Sequence, residues 1–358
     1  MKKTLFVVAV AAIAMTACTN EKNEYVGDNT PKEIAFFPVA QPATRAAVQS
    51  ATFPNQEMFV VAYQATPTAG NYFEKTTFTK GESYWGGTSK RYWPLSPATI
   101  NFFAVTGIAS ANTSHVEFPA TGSSEGTAYI ESATVAYTTS NSYGASTQSD
   151  IMYAVGQESV TQTGNALAFP AKVDMTFYHA LALINFQVKA YSTVEAGAIT
   201  INSIKLNGAQ YTGTLTVTNN ASVCKTGSAQ IKPTISWSGE TAPTGNDRPN
   251  VNNVPSTIST DYAPVNDAKA PGETGYTSWA CMMVIPSTFT GFTINYTCDG
   301  HTYDYDYVPA GYSGGTPITT SLTEGYKYTY KITFKLHEIL INPSVQPWDN
   351  TDNTFDIQ

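Results

Sequence analysis

Apolar residues in this chain come in short runs, and clusters of Gly, Pro, Asn, Asp, Ser and Thr separate them. The first clear runs are Ile34-Ala35-Phe36-Phe37-Pro38-Val39 and Met58-Phe59-Val60-Val61-Ala62-Tyr63. Similar signals recur at 99–105, 128–137, 151–155, 175–190, 199–206, 214–217, 282–285, 292–298, 303–308 and 326–336. Runs this short, rich in β-branched and aromatic residues and bounded by turn formers, predict strands. Their even spacing points to sandwiches and not to βαβ units. No segment shows a helical period over a convincing length. Residues 239–275 are rich in Pro, Asn, Asp, Gly and Thr and nearly free of large apolar groups, which predicts a long surface insertion. A new apolar segment opens just after Pro170-Ala171-Lys172, so the expected division is an N-terminal domain over 46–171 and a C-terminal domain over 172–358.

Composition agrees with an all-β protein working outside the cytoplasm. The chain has 358 residues, enough for two ordinary domains, and only 13% are charged, where about 25% is usual. There are 22 Tyr and 17 Phe, which suit pleated, half-buried surfaces. The formal net charge of −8 and the lack of a basic patch disfavour nucleic acid as a partner. At the N-terminus, Lys2 and Lys3 precede an apolar run from Leu5 to Ala14 and then Met15-Thr16-Ala17-Cys18. The run is too short to span a hydrocarbon core of about 30 Å. Residues 1–17 read as a lipoprotein signal peptide and Cys18 as the lipidated residue. An ordinary cleaved signal would leave Cys18 incidental, but Cys18 stands where the small-residue cleavage site belongs. Either way the chain is exported. Acidic residues soon after Cys18 hint at the outer face of the outer membrane. Cys224, Cys281 and Cys298 remain, an odd number, so they cannot all pair within one chain. Cys281 and Cys298 flank an apparent strand–turn–strand and could pair if those strands are neighbours.

No active site emerges, and neither a cofactor nor a metal is expected. None of His115, His179, His301 and His337 has zinc-binding spacing. Asp299, Asp304 and Asp306 lack the spacing of a calcium loop. Asp304 and Asp306 alternate with Tyr303, Tyr305 and Tyr307, which predicts a strand with its aspartates toward solvent. His179 lies inside an apolar run and is expected to be a hydrogen-bonded core residue. Tyr84-Trp85 and Tyr92-Trp93 could stack on sugars, but such residues more often fill a sandwich core.

The two ends of the chain are more informative. The strand around Ile34 to Val39 joins the main fold through a peptide with Pro42, small residues and Arg45, and no apolar anchor. Such a peptide is an exposed loop and a site of nicking. Cleavage between Arg45 and Ala46 would free the strand and its lipid, leaving an unpaired sheet edge and an apolar groove that accepts another strand. At the other end, residues 328–336 alternate as a core strand. Beyond them Ile339, Ile341, Val345 and Trp348 mark an apolar tail over 338–358 that Pro343 and Pro347 confine to edge pairing. One end creates a vacancy and the other supplies a filler, a head-to-tail contact that builds open filaments.

These features together resemble the fimbrillin superfamily, the subunits of type V pili in Gram-negative bacteria. The resemblance rests on the lipobox ending at Cys18, on Thr44-Arg45-Ala46, and on Tyr84-Trp85 and Tyr92-Trp93-Pro94 followed by Ile100-Asn101-Phe102-Phe103-Ala104. It continues through Ser149-Asp150-Ile151-Met152-Tyr153-Ala154, the segment from Met175 to Val188, Val284-Ile285-Pro286, Gly325-Tyr326-Lys327-Tyr328-Thr329-Tyr330 and Trp348. It implies two transthyretin-like Greek-key β-sandwich domains in tandem and no enzymatic activity. It further implies export as an outer-membrane lipoprotein precursor, removal of the strand Ile34 to Thr44 by an Arg-specific protease after Arg45, and polymerisation into an extracellular fimbrium. The donor is the strand from Ile339 to Trp348. The implied partners are lipoprotein-processing enzymes, the protease, the membrane through the lipid, and other pilin subunits, including copies of this chain, an anchor and a tip. An Arg site, a plausible tail and no third domain favour a stalk subunit over an anchor or tip. The alternatives are a surface glycan-binding lipoprotein that never polymerises and a β-sandwich hydrolase, which would need Asp299, Asp304 or Asp306 to cluster in a pocket with His301.

Overall fold

A computed structural model describes residues 30–40, 57–81, 84–87, 89–108, 116–117, 125–130, 142–143, 150–193, 198–210, 212–220, 224–226, 229–241, 250–251, 281–288, 290–309, 321–335 and 338–347. The fold is all-β. In chain order its strands begin with β1 (Phe36–Ala40), β2 (Glu57–Thr66), β3 (Gly70–Lys80), β4 (Trp85–Gly87), β5 (Ala98–Thr106), β6 (Val116–Glu117), β7 (Glu125–Ile130) and β8 (Ser142–Tyr143). They continue with β9 (Met152–Thr163), β10 (Ala166–Ala168), β11 (Val173–His179), β12 (Ala182–Ala190), β13 (Ile199–Asn207), β14 (Thr212–Asn220), β15 (Lys225–Thr226) and β16 (Ala229–Gln230). The last are β17 (Thr234–Thr241), β18 (Asn250–Val251), β19 (Cys281–Val284), β20 (Gly291–Cys298), β21 (His301–Tyr307), β22 (Tyr326–Lys335) and β23 (Glu338–Pro347).

The first sheet runs β10-β9-β11-β1-β4-β3-β2-β5, and β5 also pairs with β9. The strands from β9 through β5 therefore close into a seven-membered ring that resembles a barrel, with β10 hanging from β9. Inside it lie Phe36, Met58, Val60, Phe73, Phe78, Trp85, Ile100, Phe102, Met175 and Phe177, all buried. The ring's other face is apolar too where β2, β5 and β9 form it. Phe59, Val61, Phe103, Val105, Tyr153 and Val155 belong to a second core shared with the rest of the chain. This explains why these strands read as unbroken apolar runs: both faces are covered, so the alternation of a half-exposed strand disappears.

The second part is a sandwich. One layer is β19-β12-β22-β23 and the other is β21-β20-β13-β18-β8. Aromatic rings lock the layers together. Phe186 meets Phe292 edge-on with centroids 4.8 Å apart, and Tyr296 meets Phe334 at 5.5 Å. The order β12-β22 is parallel and β22-β23 antiparallel.

Several expectations change in detail. The apolar segment from Met175 to Ala190 is two strands, because the chain leaves the first sheet at Ala180 and Leu181 and enters the second as β12. β11 begins just past the expected boundary at 171/172, yet it pairs with β9 and β1 in the first sheet. The connection between Cys281 and Cys298 is a crossover between layers and not a hairpin, so their strands are not neighbours. β7, from the first half of the sequence, pairs with β14 from the second, in the sheet β17-β14-β7-β6. Residues 19–33 are polar and without periodicity, the pattern of a flexible tether between lipid and fold, yet the end of that stretch is docked: Glu33 bridges to Tyr92, and Trp93 donates its backbone N–H to the Lys32 carbonyl at 2.9 Å.

Candidate functional site

β1 closes the ring, and its bonds to the two neighbouring strands are unequal. On one side it runs parallel to β11 in five register pairs, from Phe36 opposite Val173 to Ala40 opposite Phe177. The Val173 N–H donates to the Ala35 carbonyl at 2.8 Å. On the other side its described pairing with β4 is the single pair Phe36 and Trp85. Upstream, the Ile34 N–H donates to the Arg91 carbonyl at 2.7 Å, and Glu33 and Lys90 form an ion pair at 3.2 Å. The Glu33 carboxylate holds the exposed Lys90 ammonium above its ordinary value, chiefly by accepting its hydrogen bond.

Side chains alternate along this segment, as an extended strand requires. Ile34, Phe36 and Pro38 are buried, while Ala35 and Phe37 are half-exposed. Phe36 packs edge-on against Phe78 at 4.6 Å and Phe102 at 5.2 Å. Burying Ile34 and Phe36 stabilises the docked strand by about 1.5–3 kcal/mol each. On the outer face, the Lys172 ammonium stands 3.9 Å from the Phe37 ring centroid and 2.7 Å from Asp174. A pocket of about 480 Å³ opens there, lined by Glu33, Ala35, Phe37, Tyr84, Ala171 and Lys172.

The far edge of β11 is held by a side chain. Gln230 of β16 accepts from the Thr176 N–H at 2.6 Å and donates its amide to the Asp174 carbonyl. A primary amide offers the same donor and acceptor as a peptide, so Gln230 stands in for a strand residue where β9 has diverged. Sequence reading passed over Gln230, since its role depends on a contact from a distant hairpin.

At the other end of the molecule, β23 folds back on β22 as an edge strand. Phe334 lies opposite Ile339, Ile332 opposite Ile341 and Tyr328 opposite Val345. Ile339 is buried and Ile341 half-buried, whereas Val345 is 43% exposed. Trp348 lies outside the described residues, as do the signal segment 1–17, Cys18, Arg45, Ala46, His115, His337 and most of the insertion 239–275.

The other candidates resolve into packing. Trp85 and Trp93 are buried in the ring while Tyr84 and Tyr92 stay exposed, so the tryptophans offer no sugar platform. His179 Nδ1 and Asp150 Oδ1 lie 2.9 Å apart in a fully buried pair, which joins two of the sequence motifs. Asp304 and Asp306 are exposed and accept from Asn295 at 2.7 Å and Thr293 at 2.6 Å, while Tyr305 and Tyr307 pack on the core. Among the described residues no group of His, Cys, Asp and Glu could hold a metal ion.

A family model described as Fimbrillin-like matches residues 44–348. No curated protein matches the chain. Among solved structures, a fimbrial protein from Bacteroides vulgatus is 17% identical, with a TM-score of 0.47 over 89% of this chain and 100% of its own. A fimbrial assembly protein from Parabacteroides distasonis is 10% identical, with a TM-score of 0.41 over 88% of this chain and 98% of its own. The fimbrial anchor protein Mfa2 from Porphyromonas gingivalis is 10% identical, with a TM-score of 0.36 over 89% of this chain and 98% of its own.

Proposed function

We propose, from the premise that this chain belongs to the fimbrillin-like family, that it is a structural subunit, of the stalk class, in a type V adhesive pilus. In this reading the precursor is exported, acylated at Cys18 and displayed on the outer membrane. An Arg-specific protease cuts between Arg45 and Ala46. β1 then leaves, and the tail of another subunit takes its place, so that subunits join head to tail into an extracellular fimbrium with anchor and tip partners. The two-domain division belongs to the same reading: transthyretin-like domains over 46–171 and 172–358, with β11 from the second stretch completing the ring of the first.

The observation that carries the proposal is the position of β1. It closes a ring with one long ladder and one short one, it buries Ile34 and Phe36, and the chain leading from it to β2 contains Arg45. Taking it out leaves the edges of β11 and β4 open and uncovers Phe78 and Phe102, a vacancy that a foreign strand can fill. The test is N-terminal sequencing of the cell-surface protein with unheated SDS gels beside it. A start at Ala46 and a detergent-stable ladder are expected. An acylated start at Cys18 with monomer alone would overturn the stalk reading.

A further inference from the structure

The segment that leaves and the segment that arrives share a sequence. Residues 33–42 read Glu-Ile-Ala-Phe-Phe-Pro-Val-Ala-Gln-Pro, and residues 338–347 read Glu-Ile-Leu-Ile-Asn-Pro-Ser-Val-Gln-Pro. Aligned without a gap, Glu33 matches Glu338, Ile34 matches Ile339, Pro38 matches Pro343, and Gln41-Pro42 matches Gln346-Pro347. Phe36 matches Ile341, an apolar residue at an inward position. Residues 33–40 lie at the ring's seam and residues 338–347 along the edge of β22. We propose that the tail is an internal copy of β1 and that this match sets the donor register. In the polymer, Ile339, Ile341 and Pro343 of one subunit occupy the seats of Ile34, Phe36 and Pro38 in the next, running parallel to β11. The inference rests on the strand-exchange reading and adds its register and polarity.

The inward positions, the proline, Glu338 and Leu340 fit what the seat demands, while Asn342 in place of Phe37 gives up the contact with the Lys172 ammonium. In β1 and the residues leading into it the buried positions are Ile34, Phe36 and Pro38. In β23 the same alternate positions, Ile339, Ile341 and Pro343, face the sandwich, but only Ile339 is buried there. Moving to the ring buries Ile341 and Pro343 more completely, which favours transfer. The proline is also placed where it costs nothing. Because the Ala35 carbonyl points to β11, the Pro38 nitrogen points to the β4 side, beyond the last described pair of β1 with β4. Pro343 in that seat likewise removes no ladder hydrogen bond. Glu338 exchanges one lysine for another: Lys335 at 2.9 Å in its own hairpin, and Lys90 of the next subunit in place of Glu33. Leu340 replaces Ala35, which lines the pocket of about 480 Å³ on the outer face, so the larger side chain has room.

Cysteine pairs in the full chain test the register. The pairing of Phe37 with Asp174 in β1 becomes Asn342 with Asp174 between subunits. Strands in register lie about 4.8 Å apart, within disulfide reach, and a slip of two residues moves the pair about 6.6 Å along the strand, to a separation of about 8 Å that no disulfide spans. The Asn342→Cys/Asp174→Cys protein is digested with an Arg-specific protease, mildly oxidised and run on heated gels without reductant. A ladder that survives heating and collapses with reductant is expected, with the linked peptides identified by mass spectrometry. Leu340→Cys/Asp174→Cys and Ser344→Cys/Asp174→Cys, slipped by two in either direction, should give no heat-stable ladder. Phe37→Cys/Asp174→Cys in the uncut precursor should close within one chain and calibrates the chemistry. A ladder on unheated gels that becomes heat-stable only in a slipped pair, or in no pair, overturns the register while leaving strand exchange in place. No ladder on any gel after cleavage overturns the strand-exchange reading itself, and the register falls with it.

Discussion

At the scale of single residues, Phe36 is the side chain that most commits β1 to the ring. Its ring meets Phe78 and Phe102 edge-on and is wholly buried. Truncation to alanine leaves a cavity that the surrounding strands cannot close, at a cost of about 3–5 kcal/mol. Phe36→Ala should therefore shift urea unfolding of the precursor by that amount. In the cleaved and polymerised protein β1 has gone, so the same substitution should leave stability unchanged; equal losses in both forms would place Phe36 in the polymer as well. A second residue-scale prediction concerns Asp150 and His179. Both are buried, and the aspartate accepts from or pairs with the imidazole at 2.9 Å. Asp150→Ala strands a buried ring nitrogen and should cost about 1–3 kcal/mol, whereas Asp150→Asn, which keeps an acceptor oxygen, should cost less in the same measurement. Gly107 sits beside this pair with φ of +83°, and a Cβ there would lie 1.8 Å from the Asp150 carbonyl oxygen, so Gly107→Ala disturbs the same junction from the backbone side.

At the scale of elements, the strands whose two faces are both buried were the legible ones. Met58 to Tyr63, Ile100 to Val105 and Met152 to Val155 stand out because the ring interior and the shared core each claim alternate residues. β3 and β17 did not stand out. Their sequences, GNYFEKTTFTK and TISWSGET, mix polar and apolar residues without a run, since one face of each is largely open to solvent. Partner choice was not legible either. Parallel pairing of β1 with β11 and the pairing of β7 with β14 join residues far apart in sequence, and local patterning carries no information about which distant edge a strand will meet. The site divides in the same way. The buried alternation of Ile34 and Phe36 and the edge character of the tail followed from the residues, while Gln230 capping β11 did not. β23 itself yields a prediction. Only Ile339 is buried along it, so deleting residues 338–358 should cost about what one buried aliphatic contributes, roughly 1.5–3 kcal/mol. The shortened protein should melt cooperatively by circular dichroism and, after cleavage, give no ladder. Unfolding on truncation would show that the tail is part of the scaffold and not a removable edge.

At the scale of the molecule, the ring and the sandwich share one core. Phe59, Val61, Tyr63 and Tyr153 from the ring belong to the same buried cluster as Leu183, Phe186, Phe292 and Tyr330 from the sandwich. The pairing of β7 with β14 ties the halves again through hydrogen bonds. Parts joined in this way should unfold together, and the tyrosines in the shared core supply a probe of that coupling. Burial, with the Glu74 carboxylate as the lesser cause, pushes the Tyr63 phenol up to about 12. Burial likewise raises Tyr153 and Tyr330. In the unfolded chain a tyrosine ionises near pH 10, so above that value the unfolded state sheds protons that the folded state keeps. Stability is then fully present below about pH 10 and falls as pH rises toward and through about 12. Tyrosinate absorbance of these residues should appear together with loss of the β-sheet signal, in a single transition spanning both halves. Tyr63→Phe removes one ionisable group from the shared core and should move that transition to higher pH. If instead the absorbance rises in full while the sheet signal persists, the core admits hydroxide without opening, and the two halves are less tightly joined than their common packing indicates.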